Sequence, residues 1–81
     1  MPMFFVYILY SNQLNKFYIG QTADLEKRLI QHNSTLNLRA NDWVIRYSET
    51  FDTRADAMKR EKGIKNKKSR KYIEWLITHV G

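Results

Sequence analysis

The sequence lacks cysteine altogether, and it has one proline and three glycines among its 81 residues. Without cysteine there can be no disulfide bond and no thiolate metal site. No apolar run approaches the roughly 20 residues that a membrane-spanning helix requires, and no basic segment followed by a long apolar one marks a signal peptide. These absences predict an intracellular, cytoplasmic protein with no membrane partner.

Acidic residues are scarce relative to basic ones. Eight Asp and Glu stand against fourteen Lys and Arg, which gives a formal net charge of +6. A basic domain of this size favours a polyanionic partner, with nucleic acid first and an anionic membrane surface second. The length and the 43% apolar content predict a single domain, residues 1–81, near the lower size limit for a stable core.

Three segments have the composition and periodicity of β-strands: residues 4–10, 17–21 and 43–51. The first is a nearly continuous apolar run, typical of a strand that is covered on both faces. A polar stretch of hairpin-loop length separates it from the second. The third alternates, which places Trp43, Tyr47 and Phe51 on one predicted face.

Capping residues and apolar stripes predict three helices. The first follows Thr22 as N-cap and ends near Asn33, the second begins after Thr53, and the third runs from Ser69 to about Val80. The predicted fold is therefore α/β, a three-stranded antiparallel sheet flanked by three helices in a single domain.

Polar side chains fall on or beside the predicted apolar stripe of the first helix. His32 shares that stripe with Leu25 and Leu29, and Arg28 lies on its flank. A histidine in this position is more often a satisfied core residue than a functional one, and a flanking arginine usually faces solvent. Both alternatives stay open from the spacing alone.

Glu61 falls among Ala57, Met58 and Ile64 on the predicted buried stripe of the second helix. A carboxylate there is unfavourable unless a cation neutralises it. An ion pair with a nearby lysine or with Arg28, and coordination of a metal ion, are equally consistent with the sequence.

Two tyrosines lie on the first two predicted strands. Paired strands can direct one side chain each at the same patch, so Tyr7 and Tyr18 can converge. Gly20 permits close approach of another backbone or a phosphate, because it has no Cβ. Each tyrosine alone is most simply an ordinary strand aromatic. Together with Arg28 and His32, however, they concentrate proton-transfer and phosphate-binding groups in a short stretch.

Taken in order, these residues resemble the GIY-YIG nuclease superfamily. Tyr18-Ile19-Gly20 matches the second half of the family motif, and Val6-Tyr7-Ile8 resembles the variant first half of small stand-alone members of the URI type. The segments 24–29 and 31–33 are also similar to those members. The resemblance extends to Glu61 and so covers nearly the whole chain.

The resemblance implies a metal-dependent endonuclease that hydrolyses DNA with low intrinsic sequence specificity, in DNA repair or processing. It assigns Tyr7 to activating the attacking water, as general base or proton relay, and Tyr18 to orienting the water or phosphate. Arg28 would bind the phosphate, and His32 would exchange a proton or bond to the scissile group. Glu61 would hold one Mg²⁺ or Mn²⁺. Arg28 and the metal are expected to lower the pKa of Tyr7.

A basic run extends from Lys59 to Lys71, where eight of thirteen residues are Lys or Arg and one is acidic. Its ordinary role would be a solvated helix surface, and the alternative is nucleic-acid binding. Arg39 is a further candidate phosphate contact. The residues predicted to bind nucleic acid are Gly20, Gln21, Lys65, Lys67, Lys68, Arg70 and Lys71. DNA is favoured over RNA, and a protein partner is expected to supply targeting.

One residue of the family pattern is missing. Larger members carry an asparagine after the glutamate, in a region that corresponds here to residues 70–74, where the sequence reads Arg-Lys-Tyr-Ile-Glu. This gap favours the alternative function, a non-catalytic nucleic-acid-binding module that keeps the nuclease fold.

Overall fold

The structure, a computed structural model, describes residues 3–34 and 40–79. Its elements are, in chain order, β1 (Phe4–Ser11), β2 (Lys16–Thr22), α1 (Leu25–Ser34), β3 (Val44–Phe51), α2 (Arg54–Asn66) and α3 (Arg70–His79). Arg39 and Val80, which carried predictions, lie outside the described residues. Across the described ranges, every helix is too short or too polar to cross a membrane.

The three strands form one antiparallel sheet in the order β2-β1-β3, so β1 is the central strand. Its four central residues, Val6 to Leu9, are buried. Val6 and Ile8 contribute to one hydrophobic cluster, whereas Tyr7 and Leu9 contribute to another. Because side chains alternate along a strand, these clusters lie on opposite faces of the sheet. The α/β fold and a first strand covered on both faces are confirmed.

Different helices cover the two faces. The larger cluster joins β1 to α2 and α3 through Ala57, Ile64 and Leu76. The smaller cluster joins β1 to α1, whose Leu25 and Leu29 pack against it. Tyr7, which belongs to the smaller cluster, therefore lies on the face of the sheet that α1, the helix of Arg28 and His32, covers.

The third strand departs from the predicted alternation. Its pairing with β1 skips Arg46, which makes this residue the extra one of a β-bulge. One extra residue reverses the direction of the side chains that precede it. Trp43 accordingly packs in the smaller cluster and Tyr47 in the larger one. The prediction that they share a face is wrong.

Two of the three predicted caps are confirmed. Thr53 and Ser69 accept bonds from backbone N–H groups in the first turns of α2 and α3. The predicted cap of α1 is wrong, because Thr22 pairs in the sheet as the last residue of β2. Asp24 replaces it, and its Oδ1 accepts a bond from Lys27 N at 3.0 Å.

The buried face of α2 differs from the predicted stripe at one position. Ala57 and Ile64 are buried and Glu61 is half-buried beside them, but Met58 is 53% exposed. Arg60 is half-buried instead, and its Nε donates to Glu49 Oε2 at 3.0 Å. This ion pair ties α2 to β3, so the face that meets the sheet includes Arg60 and excludes Met58.

The fold predicts a contrast between two isoleucines. Ile64 is 1% exposed in the larger cluster and Ile30 is 61% exposed on α1. Ile64→Ala should lower the free energy of unfolding by about 2–5 kcal/mol, because it removes buried methyl groups and leaves a cavity. Ile30→Ala should change it by less than about 0.5 kcal/mol. Urea denaturation of both variants measures this, and equal losses would contradict the described core.

Candidate active site

The site is organised around a cross-strand pair. Tyr7 on β1 lies directly opposite Gly20 on β2. A Cβ added to Gly20 would collide with the Tyr7 hydroxyl and would lie 2.7 Å from Tyr7 Cζ. The close approach predicted for Gly20 is thus made by the phenol of Tyr7, and a nucleic-acid contact at Gly20 stays a prediction.

Two side chains of α1 bond to the Tyr7 hydroxyl. His32 Nε2 lies 3.1 Å from it, and Arg28 Nε donates to it at 3.3 Å. The Tyr18 ring stacks near Tyr7 with centroids 6.4 Å apart, and its centroid is 4.5 Å from that of His32. The structure therefore brings four of the five predicted catalytic residues together in one cluster.

The end of α1 is fixed to the start of β3. The Asn33 side chain donates from Nδ2 to Trp43 O at 3.0 Å and accepts from Trp43 N at 2.7 Å. Asn33 follows His32, so this pair of bonds also holds the imidazole near Tyr7. His32 is buried, as its place on the apolar stripe predicted, whereas Arg28 is exposed on the flank.

Burial controls the protonation of the cluster. It raises the pKa of Tyr7 above the ordinary 10.0, and the bond from Arg28 offsets only part of this effect. Arg28 does lower the pKa of Tyr7, as expected, but burial raises it by more. Burial and the charge of Arg28 together lower the pKa of His32 below 6.5. At neutral pH the phenol is therefore protonated and the imidazole neutral.

Glu61, the fifth predicted catalytic residue, lies on α2. Its negative charge is the smallest of the effects that raise the pKa of Tyr7. Lys65 Nζ lies 2.6 Å from Glu61 Oε2, so the ion pair that the sequence allowed is present. The Glu61 side chain is 19% exposed and that of Lys65 is 52% exposed.

Glu61 could bind a divalent cation in one mode of coordination. Over the described part of the chain, no three His, Cys, Asp or Glu side chains form a metal-binding group. Mg²⁺ often takes one or two carboxylates and completes its shell with water and substrate phosphate. A half-buried carboxylate whose partner is an exposed lysine fits that mode, provided that the ammonium group of Lys65 moves aside.

A polar groove of about 430 Å³ adjoins the cluster. We call it the α1–α2 groove; its lining residues are Gln21, Thr22, Ala23, Asp24, Lys27, Arg28, Gln31 and Arg54. The sequence prediction named Gln21 and Arg28 but missed the contribution of Arg54. The sequence did contain a sign of this role. Arg54 is the first residue of a helix, where the helix dipole disfavours a cation, so an arginine there indicates a role other than helix stability.

The predicted basic run lies elsewhere. Lys65, Lys68 and Arg70 line a second groove beside β2, of about 340 Å³. Lys65 pairs with Glu61, and Arg70 pairs with Glu74 at 3.5 Å. Part of the charge predicted to bind nucleic acid is therefore neutralised within the protein.

The other two residues of the run that were predicted to bind nucleic acid have different surroundings. Lys67 Nζ is 5.4 Å from the centroid of the Tyr72 ring, and Lys71 is exposed on α3. The predicted nucleic-acid-binding residues thus do not line one groove, because Lys65, Lys68 and Arg70 line the second groove and Gln21 lines the α1–α2 groove.

Comparison with known proteins identifies relatives of the whole fold. The family of the GIY-YIG catalytic domain matches residues 3–73. A UPF0213 protein of Bacillus velezensis is 39% identical over 77 residues, covering 86% of this chain and 77% of its own. A UPF0213 protein of Staphylococcus saprophyticus is 31% identical over 80 residues, covering 94% and 96% respectively. No solved structure matches at comparable significance.

The Tyr7–Gly20 pair generates a prediction about stability. Gly20→Ala should destabilise the fold by about 1–3 kcal/mol, because the new methyl group must displace the Tyr7 hydroxyl. Gly63→Ala is the matched control, since a Cβ there meets nothing within 4 Å. It should stabilise α2 by about 0.5–1 kcal/mol through higher helix propensity.

A double-mutant cycle separates this clash from a general strand effect. Tyr7→Phe removes the colliding oxygen, so Gly20→Ala should cost less in the Tyr7→Phe background than in the wild type. Denaturation of the four proteins measures the coupling. Strictly additive losses would show that the clash is with the ring of residue 7 and that the hydroxyl contributes nothing to it.

Proposed function

This chain belongs to the GIY-YIG family, and on that premise we propose that it is a metal-dependent endonuclease that hydrolyses phosphodiester bonds in DNA. The observation that supports the proposal most directly is the convergence of Arg28 and His32 on the Tyr7 hydroxyl. A phosphate-binding group, the Arg28 guanidinium, and a proton acceptor, the His32 imidazole, thereby contact the same hydroxyl. Hydrolysis of a phosphodiester needs both functions at adjacent atoms.

A proton relay suits this cluster better than a phenolate base. Because the pKa of Tyr7 is raised, the phenol keeps its proton at pH 7. His32 is neutral there, and its Nε2 can accept that proton. Tyr7 would then take a proton from the attacking water while it passes its own to His32. The hydroxide formed attacks phosphorus, and the bond to the leaving oxygen breaks.

Arg28 is suited to hold the phosphate beside this relay. Tyr7 is only 1% exposed, whereas Arg28, which bonds to its hydroxyl, is exposed to solvent. Nε contacts the phenol, and Nη1 contacts Gln31 Oε1 at 3.3 Å. A planar guanidinium can bind two phosphate oxygens at once. Tyr18, which is half-buried next to His32, would orient the water or the phosphate.

Glu61 is the residue that would hold Mg²⁺ or Mn²⁺. The ion, when bound, stabilises charge on the leaving 3′ oxygen. Lys65 would neutralise Glu61 in its absence. We further propose low sequence specificity, a cytoplasmic location and a role in DNA repair or processing, with targeting by a protein partner.

A non-catalytic nucleic-acid-binding module is the second candidate. The Glu61–Lys65 ion pair favours it, because a carboxylate already neutralised within its own helix needs no metal. The missing asparagine after Glu61 points the same way. The two functions differ in whether the wild type cleaves DNA at all, and the first also requires Glu61 for that cleavage.

Glu61→Gln should abolish divalent-dependent cleavage and leave DNA binding unchanged, because it keeps the shape of the side chain and removes the charge that holds the cation. The assay is incubation with mixed DNA forms and Mg²⁺ or Mn²⁺. Glu74→Gln is the matched control, since it removes another ion-paired carboxylate, on α3. If the wild type and Glu61→Gln are equally inert on every form, the binding module is the correct function.

The relay predicts how the cleavage rate depends on pH. Tyr7→Phe should lower the rate by roughly 10²- to 10⁴-fold, since it removes the oxygen that transfers the proton. In the wild type the rate should fall only below pH 6.5, because His32 must be neutral to accept a proton and its pKa is lowered. The residual rate of Tyr7→Phe should lack this acid limb. An unchanged acid limb in that variant would exclude the relay.

A further inference from the structure

We propose that the α1–α2 groove binds a phosphate adjacent to the scissile one, and that Arg54 is the residue that positions it. The inference rests on the proposed function, since the occupant is the backbone of the nucleic-acid substrate. It assigns a second phosphate subsite in a groove separate from the one that Lys65, Lys68 and Arg70 line.

The groove is continuous with the cluster through one residue. Arg28 contacts the Tyr7 hydroxyl through Nε and Gln31 in the groove wall through Nη1. A strand whose scissile phosphate binds at Arg28 therefore has its neighbouring backbone at the mouth of the groove. Arg54 stands on another wall, at the start of α2.

The charges of the groove favour an anion. Lys27, Arg28 and Arg54 line it, and Asp24 is its single acid. Asp24 accepts a bond from the backbone of α1, which occupies one of its oxygens. Among the residues that the structure describes, none of the three cations pairs with a carboxylate. In the second groove, by contrast, carboxylates already neutralise Lys65 and Arg70.

Arg54 is held in place before any ligand binds. Its Nη1 donates to Gln21 Oε1 at 3.0 Å, and its Cζ lies 4.8 Å from the centroid of the Phe4 ring. The aromatic face and the amide restrict the guanidinium on two sides, and they leave most of its five N–H donors available for phosphate oxygens. Less side-chain entropy is then lost when a phosphate binds.

The test compares Arg54→Ala with Lys59→Ala in the absence of divalent metal, so that the strand stays intact. Lys59 carries the same charge on the exposed face of the same helix, outside the groove. Fluorescence anisotropy of a labelled oligonucleotide gives the dissociation constant at several salt concentrations. Arg54→Ala should weaken binding on the order of tenfold and lower the salt slope by about 0.9 on duplex DNA. Arg54→Lys should recover part of the loss.

Kinetics supply a second readout. Since Arg54 is placed beside the scissile phosphate and not on it, Arg54→Ala should raise KM and leave kcat nearly unchanged. Arg28→Ala should lower kcat as well. Thermal unfolding of each variant checks that the fold is retained.

The outcomes separate the subsite from the proposed function. Equal binding by Arg54→Ala and Lys59→Ala, with wild-type binding intact, overturns the subsite alone. A loss confined to kcat in Arg54→Ala also overturns it. A wild type that binds no nucleic acid overturns both. Selective loss of binding by Arg54→Ala in a protein that cuts nothing supports the subsite and the non-catalytic module.

Discussion

The Tyr7 hydroxyl occupies the space that a side chain at residue 20 would need, because the two residues lie opposite each other in one antiparallel pair. The phenol can therefore lean across β2 and meet α1, where Arg28 and His32 reach it. A larger residue at position 20 would push the ring away from both. The glycine of the motif thus acts through the fold, by setting the position of the phenol.

Much of the architecture follows from local patterns that the sequence displays openly. The uninterrupted apolar run of β1 predicted a strand covered on both faces, and burial on both sides confirms it. The stripe of α1 placed His32 inward, because helical periodicity is insensitive to what the helix packs against. The ordered set of Tyr7, Tyr18, Arg28 and Glu61 was enough to identify the family.

Features that depend on distant partners escaped prediction. The bulge at Arg46 separates Trp43 from Tyr47, and it arises from register with β1, which a single strand does not encode. Arg60 replaces Met58 at the sheet because Glu49 lies opposite it on β3. Hydrophobic periodicity predicts that methionine faces the core and arginine faces solvent. Here the ion pair between α2 and β3 reverses that arrangement.

The α1–α2 groove could not be predicted from the sequence either, because it also depends on residues that are distant along the chain. Its walls come from the end of β2, the first turns of α1 and the start of α2, which are separated by up to thirty-three residues. Charge counting along the chain drew attention to the dense run after Lys59. Pairing with acids in three dimensions decides which cations keep their charge available, and linear density does not report it.

The division of the interior into two clusters has a consequence for motion. α2 and α3 share the larger cluster, whereas α1, which carries Arg28 and His32, closes only the smaller one. Elements that bury few apolar side chains open locally at lower free energy than the whole protein unfolds. We therefore expect α1 to separate from the sheet at a lower free energy than global unfolding requires. A phosphate held by Arg28 would bind the closed form selectively and tighten this helix by mass action. In this small domain the substrate itself would then complete the folding of the part that acts on it.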